Sequence, residues 1–382
     1  MIKTYKYKLY RNKRQKYLRR NINIAGIIFN HCIALHKRYY RIYGKHLNQY
    51  RLMKHIAKLR NSQKYSYWKS VPSQSVQDIC QRIDKGYRLF FNSLKLERKV
   101  SPPTFKKVKK YSSITLKQAG WKRLNDNRIL IGKKVFKYCK SRELPENIKN
   151  VIIKRDKCGD LWLCISCEVE IIPTTVATGK IAGCDFGLKT FLTLSRQQGV
   201  IESPQFFKIN TNQVNYANRN LSRKKKGSNN RKKALLRLAK TYRDIAYKRN
   251  DWQWKIAWQL INEYDRLYFE DLNLNGMKKL WGRKISDLAF DSFLKKVVYL
   301  AKCESKHVKF IDRYFPSSKT CHECKSVNND LKLSQREWLC KECGTLHDRD
   351  ENAANNIETM GERAFSPDLE NVRHPILDAI LV

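Results

Sequence analysis

Two Cys-x-x-Cys pairs near the C-terminal end constrain the fold of this chain more than any other feature. The four residues are Cys321, Cys324, Cys340 and Cys343. Two such pairs, separated by residues 325–339, can bring four thiolates within tetrahedral reach of one Zn²⁺ ion. Because four cysteines fill every coordination position, the sequence predicts one structural zinc that does no chemistry. The nearby His322 and His347 are then unnecessary as ligands.

The composition predicts a polyanionic partner. The chain has 79 Lys and Arg against 34 Asp and Glu, a formal net charge of +45. Self-repulsion at this charge opposes folding unless a polyanion compensates it, so nucleic acid is the expected partner. Hydrophobic residues make up 42% of the chain, which is enough for real cores and excludes a disordered basic tail. No apolar run suits a membrane span or signal peptide, so we expect no membrane contact and a reducing, cytoplasmic location.

The order of elements predicts a small β domain that a helical domain interrupts. Residues 2–10 alternate apolar and basic positions, which is typical of a strand. Helical periodicity follows from about Lys13 to Leu96, and a Pro-containing basic loop at 99–113 ends it. Short strands return over 128–172, and the linker at 173–180 closes this region. The N-terminal strand is therefore expected to join strands that lie more than a hundred residues later.

Three acidic residues stand where strands end or a helix begins. Asp185 ends an apolar strand at 181–186, with further strands expected at 190–195 and 200–202. Glu270 lies at the end of a short apolar strand, where open α/β sheets place their ligands. Asp350 shares the inward face of a helix that Asp348 is expected to cap. Three strands, a helix, a strand and a returning helix is the order of a ribonuclease H-like fold.

Three inward carboxylates would repel one another unless a divalent cation lies among them. Two Mg²⁺ ions held in this way can activate a water and stabilise the leaving oxygen in phosphodiester cleavage. Asp185, Glu270 and Asp350 are therefore predicted to hold magnesium.

A basic segment at 219–249 is predicted to be one helix that binds phosphates. Leu235, Leu238, Tyr242 and Ile245 follow helical spacing, so this face is expected to pack on the core and the other to meet nucleic acid. Asp244 is the only acid in the segment, which argues against an ordinary solvated face. The predicted phosphate-binding residues are Arg223, Lys224, Lys225, Lys226, Arg231, Lys232 and Lys233. Among the aromatic residues that follow, Trp252, Trp254 and Trp258 could stack on bases, although the helical spacing of Trp254 and Trp258 is more typical of core residues.

The chain resembles the TnpB proteins, a transposon-encoded family, over nearly its whole length. The matching segments are VPSQSVQDICQRIDKGYRLFF, GCDFGLKT, FEDLNLNGM, DRYFPSSKTCHEC and REWLCKECGTLHDRDENAANNI, in family order. The resemblance implies an RNA-guided DNA endonuclease with a RuvC-like nuclease domain, related to type V CRISPR effectors. It makes Asp185, Glu270 and Asp350 the catalytic acids, and it implies that Ser73 and Gln77 read a short DNA motif beside the target.

The resemblance also implies the domain organisation and the partners. The expected fold is a multidomain α+β chain in which a β-barrel wedge domain is interrupted by a helical recognition domain and followed by the nuclease domain with an inserted zinc ribbon. The expected bounds are 1–10 and 101–180 for the wedge, 11–100 for the helical domain, 181–320 and 344–365 for the nuclease, 321–343 for the zinc ribbon and 366–382 for a tail without an assigned role. Guide RNA, target double-stranded DNA, two Mg²⁺ and one Zn²⁺ complete the expected assembly, as a monomer or a complex held by RNA in a prokaryotic host.

Two other functions remain open from the sequence. A transposase that joins strands could use the same three carboxylates, but it would bind transposon ends directly. A nuclease-inactive, RNA-guided repressor would be expected to have lost at least one acid, whereas this chain retains all three.

Overall fold

The structure, a computed structural model, describes residues 1–97, 100–124, 127–332 and 334–364. The chain divides into two compact units, Met1–Glu170 and Ile171–Val382. No helix in the described ranges has the length and apolar character needed to cross a membrane. The tail at 366–382 lies outside the described residues.

The first unit surrounds a helical segment with strands. It begins with β1 (Ile2–Lys8), and its helices are α1 (Gln15–Tyr43), α2 (Gln49–Asn61) and α3 (Ser73–Lys95). Its later strands are β2 (Ser113–Leu116), β3 (Trp121–Arg123), β4 (Arg128–Ile131), β5 (Lys134–Lys137), β6 (Ile148–Arg155) and β7 (Leu161–Glu168). The helix boundaries follow local chemistry: Gly44 ends α1 in the left-handed conformation (φ 59°), and the Asn48 side chain caps α2 by accepting from the Arg51 N–H.

The expected pairing of the N-terminal strand with distant strands is confirmed. A sheet of order β1-β7-β6-β2 places β1 antiparallel to β7, from Ile2 opposite Glu168 to Lys8 opposite Trp162. A second sheet, of order β3-β4-β5, meets β1 through a bridge between Leu9 and Tyr138. The helical segment is thus an insertion between a strand and its sheet, and the two parts share one apolar core.

The second unit is built on a mixed sheet. Its strands are β8 (Ile181–Asp185), β9 (Thr190–Leu194), β10 (Val200–Glu202), β11 (Arg266–Glu270), β12 (His307–Ile311), β13 (Glu337–Leu339) and β14 (Leu346–Asp348). Its helices are α4 (Phe206–Ile209), α5 (Thr211–Ser222), α6 (Asn229–Glu263), α7 (Leu274–Leu288), α8 (Phe290–Cys303) and α9 (Arg349–Arg363). The sheet order is β10-β9-β8-β11-β12; β8, β11 and β12 are parallel, and β9 and β10 run antiparallel to their neighbours. The strands predicted to end at Asp185 and Glu270 are therefore present.

The linker at 171–180 is bonded to the second unit. The Glu304 carboxylate accepts from the N–H groups of Thr174 and Thr175, at 2.6 and 2.9 Å. The Asp265 carboxylate accepts from the N–H groups of Thr178 and Gly179. These bonds place the division between the units near residue 170 rather than near residue 180.

Helix α9 lies unusually close to the sheet because glycine occupies the contact. A Cβ atom added at Gly183 would stand 2.1 Å from the Ala354 carbonyl oxygen and 2.5 Å from the Glu358 nitrogen. Both atoms belong to the backbone of α9, so no side chain could move away to make room. The small residue in β8 therefore sets the distance between this strand and the helix that carries Asp350.

We expect Gly183→Ala to destabilise the second unit by about 1–3 kcal/mol or more, because α9 must shift off the sheet. Chemical unfolding of the purified protein measures this change. Gly282→Ala is the matched control, since a Cβ there meets nothing within 4 Å and an exposed helical Gly→Ala change is expected to be neutral or stabilising by about 0.5–1 kcal/mol. Equal stability of the two variants would contradict the close packing of α9.

The prediction of one basic helix over 219–249 was wrong. Helix α5 ends at Ser222, and a turn over 223–228 separates it from α6, whose start is capped by the Ser228 hydroxyl accepting from the Arg231 N–H. Gly227 occupies the turn with φ 88°, a conformation that continues no helix. The predicted buried face is confirmed only in part: Ile245 is buried and Leu238 is half-buried, whereas Leu235 and Tyr242 are 56% and 44% exposed, and Ala234 is buried instead. The neighbouring helices α5 and α8 decide which face is covered, and spacing alone could not identify it.

The core positions that helical spacing favours for Trp254 and Trp258 were wrong. Trp254 and Trp258 are exposed, whereas Trp252 packs on the core and contacts the Phe191 ring at 4.8 Å. Gln253 is buried between them because its amide donates to the Leu288 carbonyl at 2.9 Å. The inward position is thus occupied by Gln253, a polar residue whose amide is hydrogen-bonded, and not by Trp254 or Trp258.

Candidate active site

Two of the three predicted acids lie side by side because their strands are parallel and in register. Gly183 is opposite Tyr268, and Cys184 is opposite Phe269. Asp185 and Glu270 follow by one residue on each strand, so they end β8 and β11 at the same edge of the sheet. The carboxyl edge of parallel strands is where α/β sheets bind ligands.

The third acid lies in the first turn of α9, as the sequence predicts. The Asp348 carboxylate accepts from the N–H groups of Asp350 and Glu351 at 3.0 and 2.8 Å, which confirms its role as the helix cap. Ala353, Ala354 and Ile357 are fully buried on the inward face of the helix. Asp350 therefore starts the face that packs on the sheet, whereas Asp348 remains exposed.

The two strand-end acids are harder to ionise than free carboxyl groups, because both are buried and have acidic neighbours. Burial raises the pKa of Asp185 to about 7, and the charges of Asp350 and Glu270 act in the same direction. Burial also raises the pKa of Glu270 to about 7, with Asp271 adding to the effect. The apolar side of the site includes Phe186, whose ring contacts those of Phe269 and Phe290 at 5.5 and 4.5 Å. Burial and the neighbouring charges of Glu270 and Asp350 thus make ionisation of Asp185 unfavourable.

Arginine side chains neutralise part of this negative charge. Arg336 Nη1 donates to both carboxylate oxygens of Asp350, at 3.0 and 2.7 Å. Arg313 Nε donates to Asp271 at 3.0 Å, beside Glu270. Arg349 lies 3.5 Å from Asp350 and opposes the rise in the pKa of Asp185. Of these three, Arg336 holds the catalytic candidate Asp350 most directly.

The acids do not form a closed metal cage in this structure. Among the described residues, only the four cysteines form a group of at least three potential ligands whose atoms all lie within 4.8 Å of one another. Asp350 is instead paired with Arg336, whose Nη1 lies 2.7 Å from the Asp350 carboxylate. Their oxygen donors fit Mg²⁺ chemically, since hard divalent cations prefer carboxylates, and a cation would relieve the unfavourable ionisation.

The raised pKa values predict how pH changes stability. A carboxyl group with a folded pKa above its unfolded value stabilises the fold while protonated, and this stabilisation is lost as the pH rises through the folded pKa. For Asp185 and Glu270 the loss falls between about pH 4 and pH 7, by up to about 1.4 kcal/mol per pH unit for each group. We therefore expect Asp185→Asn to raise the melting temperature at pH 8 without divalent ions, and to change it little at pH 4.

Adding Mg²⁺ distinguishes the removal of an unfavourable buried charge at Asp185 from a general effect of the protein's net charge on stability. Mg²⁺ is expected to stabilise the wild type at pH 8 and to have a much smaller effect on Asp185→Asn. Asp251→Asn is the control, because Asp251 is an exposed residue of α6 paired with Lys255 at 2.9 Å. Thermal unfolding at several pH values checks both points. A lower melting temperature for Asp185→Asn at pH 8 would show that the acids do not repel one another.

The four cysteines converge as the spacing predicts. Cys321 Sγ lies 3.6 Å from Cys343 Sγ, and Cys324 Sγ lies 3.6 Å from Cys340 Sγ. A tetrahedral ion with Zn–S bonds of about 2.3 Å separates its sulfur ligands by about 3.8 Å, so these residues fit Zn²⁺. Hydrogen bonds from Ser326 and the backbone lower the pKa of Cys340 to about 6, and those from Thr345 lower the pKa of Cys343. Zinc bound here would hold the hairpin of β13 and β14 against the start of α9.

The predicted nucleic-acid contacts lie mostly on the surface. Ser73 and Gln77 are exposed one turn apart at the start of α3. The turn residues Arg223, Lys224, Lys225 and Lys226 are exposed, as are Lys232 and Lys233. Arg231 is different, because its Nη1 donates to the carbonyls of Leu221 and Lys224 and closes the turn. The remaining basic side chains are exposed where phosphate could reach them, and Lys232 Nζ donates to Asn229 Oδ1 at 3.0 Å.

Comparisons with known proteins relate this geometry to two family models. A model described as a probable transposase (OrfB_IS605) matches residues 164–280, which include Asp185 and Glu270. A model described as the Cas12f1-like TNB domain matches residues 290–357, which include the four cysteines and Asp350. All the predicted catalytic and zinc residues therefore lie within the matched segments.

Individual relatives extend the similarity to most of the chain. A Streptomyces pristinaespiralis protein named "Putative RNA-guided DNA endonuclease" is 36% identical over 58% of this chain and 55% of its own length. An Escherichia coli protein named "Putative RNA-guided DNA endonuclease InsQ" is 23% identical over 91% of this chain and 89% of its own. Three relatives from Acanthamoeba polyphaga mimivirus named as TnpB-like are 30% identical over 47% of this chain.

The resemblance to the TnpB family is confirmed.

A solved structure supports the same mixed α/β fold. The cryo-EM structure of a Cas12f1–sgRNA–target DNA complex matches 91% of this chain and 83% of its own with a TM-score of 0.57 and 16% identity. At this identity the match concerns the fold of the TnpB-like chain and not its partners.

Sequence reasoning missed the residues that surround the acids. Arg336 directly precedes β13, and nothing in its local pattern indicates that it reaches Asp350. Asn352 and Asn356 were also missed, although both are buried, with 2% exposure each. Their spacing of four residues places both on the inward face of α9. This spacing was the available signal, since buried amides need hydrogen-bond partners.

Proposed function

We propose that this protein is an RNA-guided, Mg²⁺-dependent DNA endonuclease encoded by a transposable element, which cuts target DNA next to a short flanking motif. The observation that carries the proposal is that Asp185, Glu270 and Asp350 lie at one edge of the mixed sheet, close enough that the charges of Glu270 and Asp350 raise the pKa of Asp185. The names of the Streptomyces and E. coli relatives support the guided-nuclease activity. Such an enzyme would act on the nucleoid of a prokaryotic cell.

The catalytic roles follow from the positions of the three acids. Asp185 and Glu270 would hold divalent ions from the sheet edge, and Asp350 would complete the set from α9. Bound Mg²⁺ supplies water activation and stabilisation of the leaving oxygen. The apolar rings around Phe186 limit water on one side of the acids, and Arg336 is close enough to Asp350 to compete for its carboxylate. We propose that one such site cuts the two strands in turn.

The sheet topology of the two units supports the proposed domain organisation. The strand order β10-β9-β8-β11-β12 with α9 packed on it supports a ribonuclease H-like, RuvC-type nuclease with an inserted zinc ribbon. The two sheets of the first unit, interrupted by α1–α3, support a wedge domain around a recognition domain. Ser73 and Gln77, exposed at the start of α3, would read the flanking motif. The basic turn at 223–228 and Lys232 and Lys233 would contact RNA or DNA phosphates.

Sequencing the RNA that co-purifies with the full chain tests the guide. The expected result is one defined transcript from beside the gene, because base pairing must supply the target sequence. With that RNA and Mg²⁺, a plasmid library that carries the matching target beside randomised flanking sequences should be cut. The plasmids that remain uncut should lack one particular flanking motif. Removing the RNA with nuclease should abolish cutting. Random cellular RNA fragments, with cutting retained after nuclease treatment, would overturn the guide.

A transposase is the alternative that the probable-transposase match favours. It would join a cut transposon end to target DNA, whereas the proposed enzyme leaves hydrolysed ends. The same reaction, with transposon-end DNA added, distinguishes them by the presence or absence of strand-joined products. Target binding without cutting would instead identify an RNA-guided repressor.

A further inference from the structure

Both cysteine pairs of the zinc centre are connected to α9, the helix that carries Asp350, the first by hydrogen bonds and the second by the chain itself. On the side of the first pair, the Asn352 amide donates to the Thr320 carbonyl at 2.8 Å, and its oxygen accepts from the His322 N–H at 2.9 Å. The Asn356 amide donates to the same Thr320 carbonyl at 2.6 Å and to the Ser317 carbonyl at 2.9 Å. Two buried amides one turn apart thus hold the backbone that enters Cys321.

The second cysteine pair reaches the same helix through the chain itself. After Cys343, β14 leads directly to the cap residue Asp348 and into α9. His347 links this strand to the other pair, because its Nε2 lies 3.0 Å from Cys321 Sγ while its ring packs on Trp338 at 4.8 Å. The first turn of α9 is therefore fastened on both sides to the four cysteines.

We propose that Asn352 and Asn356 are positioning residues that couple the zinc centre to the catalytic acid Asp350, so that zinc occupancy sets the affinity of the active site for its divalent ions. The proposal rests on the proposed nuclease function for the identity of the second metal site. Its physical basis is that a ligand must be held in place before metal binding, because otherwise the ordering cost reduces affinity. Asp350 lies two residues before Asn352 and six residues before Asn356, within two turns of α9, and is not itself bonded to the zinc centre in the described contacts.

The test compares Asn352→Ala and Asn356→Ala with Asn355→Ala in the full chain with its RNA. Asn355 is a matched control: it lies on the same helix and uses its side chain to accept from the Arg196 N–H at 2.6 Å, away from the cysteines. Mn²⁺ binding is followed by electron paramagnetic resonance, and binding that disappears in Asp350→Ala defines the active site. Zinc content is measured on the same samples.

The two positioning variants are expected to retain one zinc per chain and to bind Mn²⁺ roughly 10-fold more weakly than the wild type. Asn355→Ala should bind Mn²⁺ normally. Mn²⁺ affinities within twofold of the wild type for both positioning variants would overturn the proposal. An equal loss in Asn355→Ala would also overturn it, because general loosening of α9 would then explain the result.

Hydrogen exchange of residues 345–352 provides a readout that needs no active-site metal. Both positioning variants, and wild type stripped of zinc by a chelator, should exchange faster in this segment, whereas Asn355→Ala should not. If the wild type has no Mn²⁺ site that depends on Asp350, the proposed nuclease site is wrong. Hydrogen exchange then tests by itself whether the zinc centre is coupled to the start of α9. Unchanged exchange after zinc removal would show that the zinc centre does not hold the start of α9.

Discussion

Asp350→Ala is expected to reduce DNA cleavage by at least about 10²-fold, to the level seen without divalent ions. The reason is that one carboxylate of a three-acid metal site contributes both to water activation and to leaving-group stabilisation. Binding of RNA and target DNA should survive, because it depends on basic side chains and base pairing. Plasmid cleavage in Mg²⁺ with guide RNA and matched target, beside a binding assay, measures both properties.

Asp348→Ala is the control for this prediction, since it changes the acid two residues earlier. Asp348 is exposed and caps α9 through the N–H groups of Asp350 and Glu351. Its loss should cost about 0.5–2 kcal/mol of stability and leave measurable cleavage. If Asp348→Ala is inactive while Asp350→Ala cuts normally, the third ligand has been assigned to the wrong side of the helix. Normal cutting by both variants would exclude this site.

Cys340→Ser is expected to have the second large effect, on folding rather than chemistry. The serine oxygen is a poor zinc ligand, and zinc binding is coupled to folding of the segment that supplies its ligands. Elemental analysis should give one zinc per chain for the wild type and much less for the variant. The hairpin of β13 and β14 should then unfold at lower temperature, because its described apolar core is small.

Cys303→Ser is the control for the zinc prediction. Cys303 ends α8 and lies outside the group of four converging thiols. This variant should retain zinc and keep the wild-type melting curve to within about 0.5 kcal/mol. An unchanged melting curve for Cys340→Ser, together with no zinc in the wild type, would rule out the metal centre.

The local chemistry of the sequence was sufficient for much of the site. The spacing of four cysteines predicts their convergence because two Cys-x-x-Cys turns have few other uses in a reducing compartment. Asp348 was identifiable as a cap, and Asp350 as inward-facing, because both depend only on helix geometry over a few residues. The ends of β8 and β11 were predictable because alternation and turn residues mark short strands.

Other features depended on which elements meet in space. The basic segment at 219–249 could not be divided at Gly227 from charge pattern alone, and its buried face depended on the packing of α5 and α8. The exposure of Trp254 and Trp258 could not be predicted from spacing either. Gln253 lies inward instead, where its amide donates to the Leu288 carbonyl at the end of α7.

The sequence by itself determined which residues could serve as metal ligands, because ligand chemistry and local spacing belong to short segments. Only the tertiary structure decided how far apart the three acids lie and which arginine side chains pair with the acids of the site. Arg336 and Asp350, Asn352 and Thr320, and Gly183 and Ala354 are contacts between elements separated along the chain. Their distances follow from the register of β8 and β11 and from the close packing of α9, which no local pattern encodes.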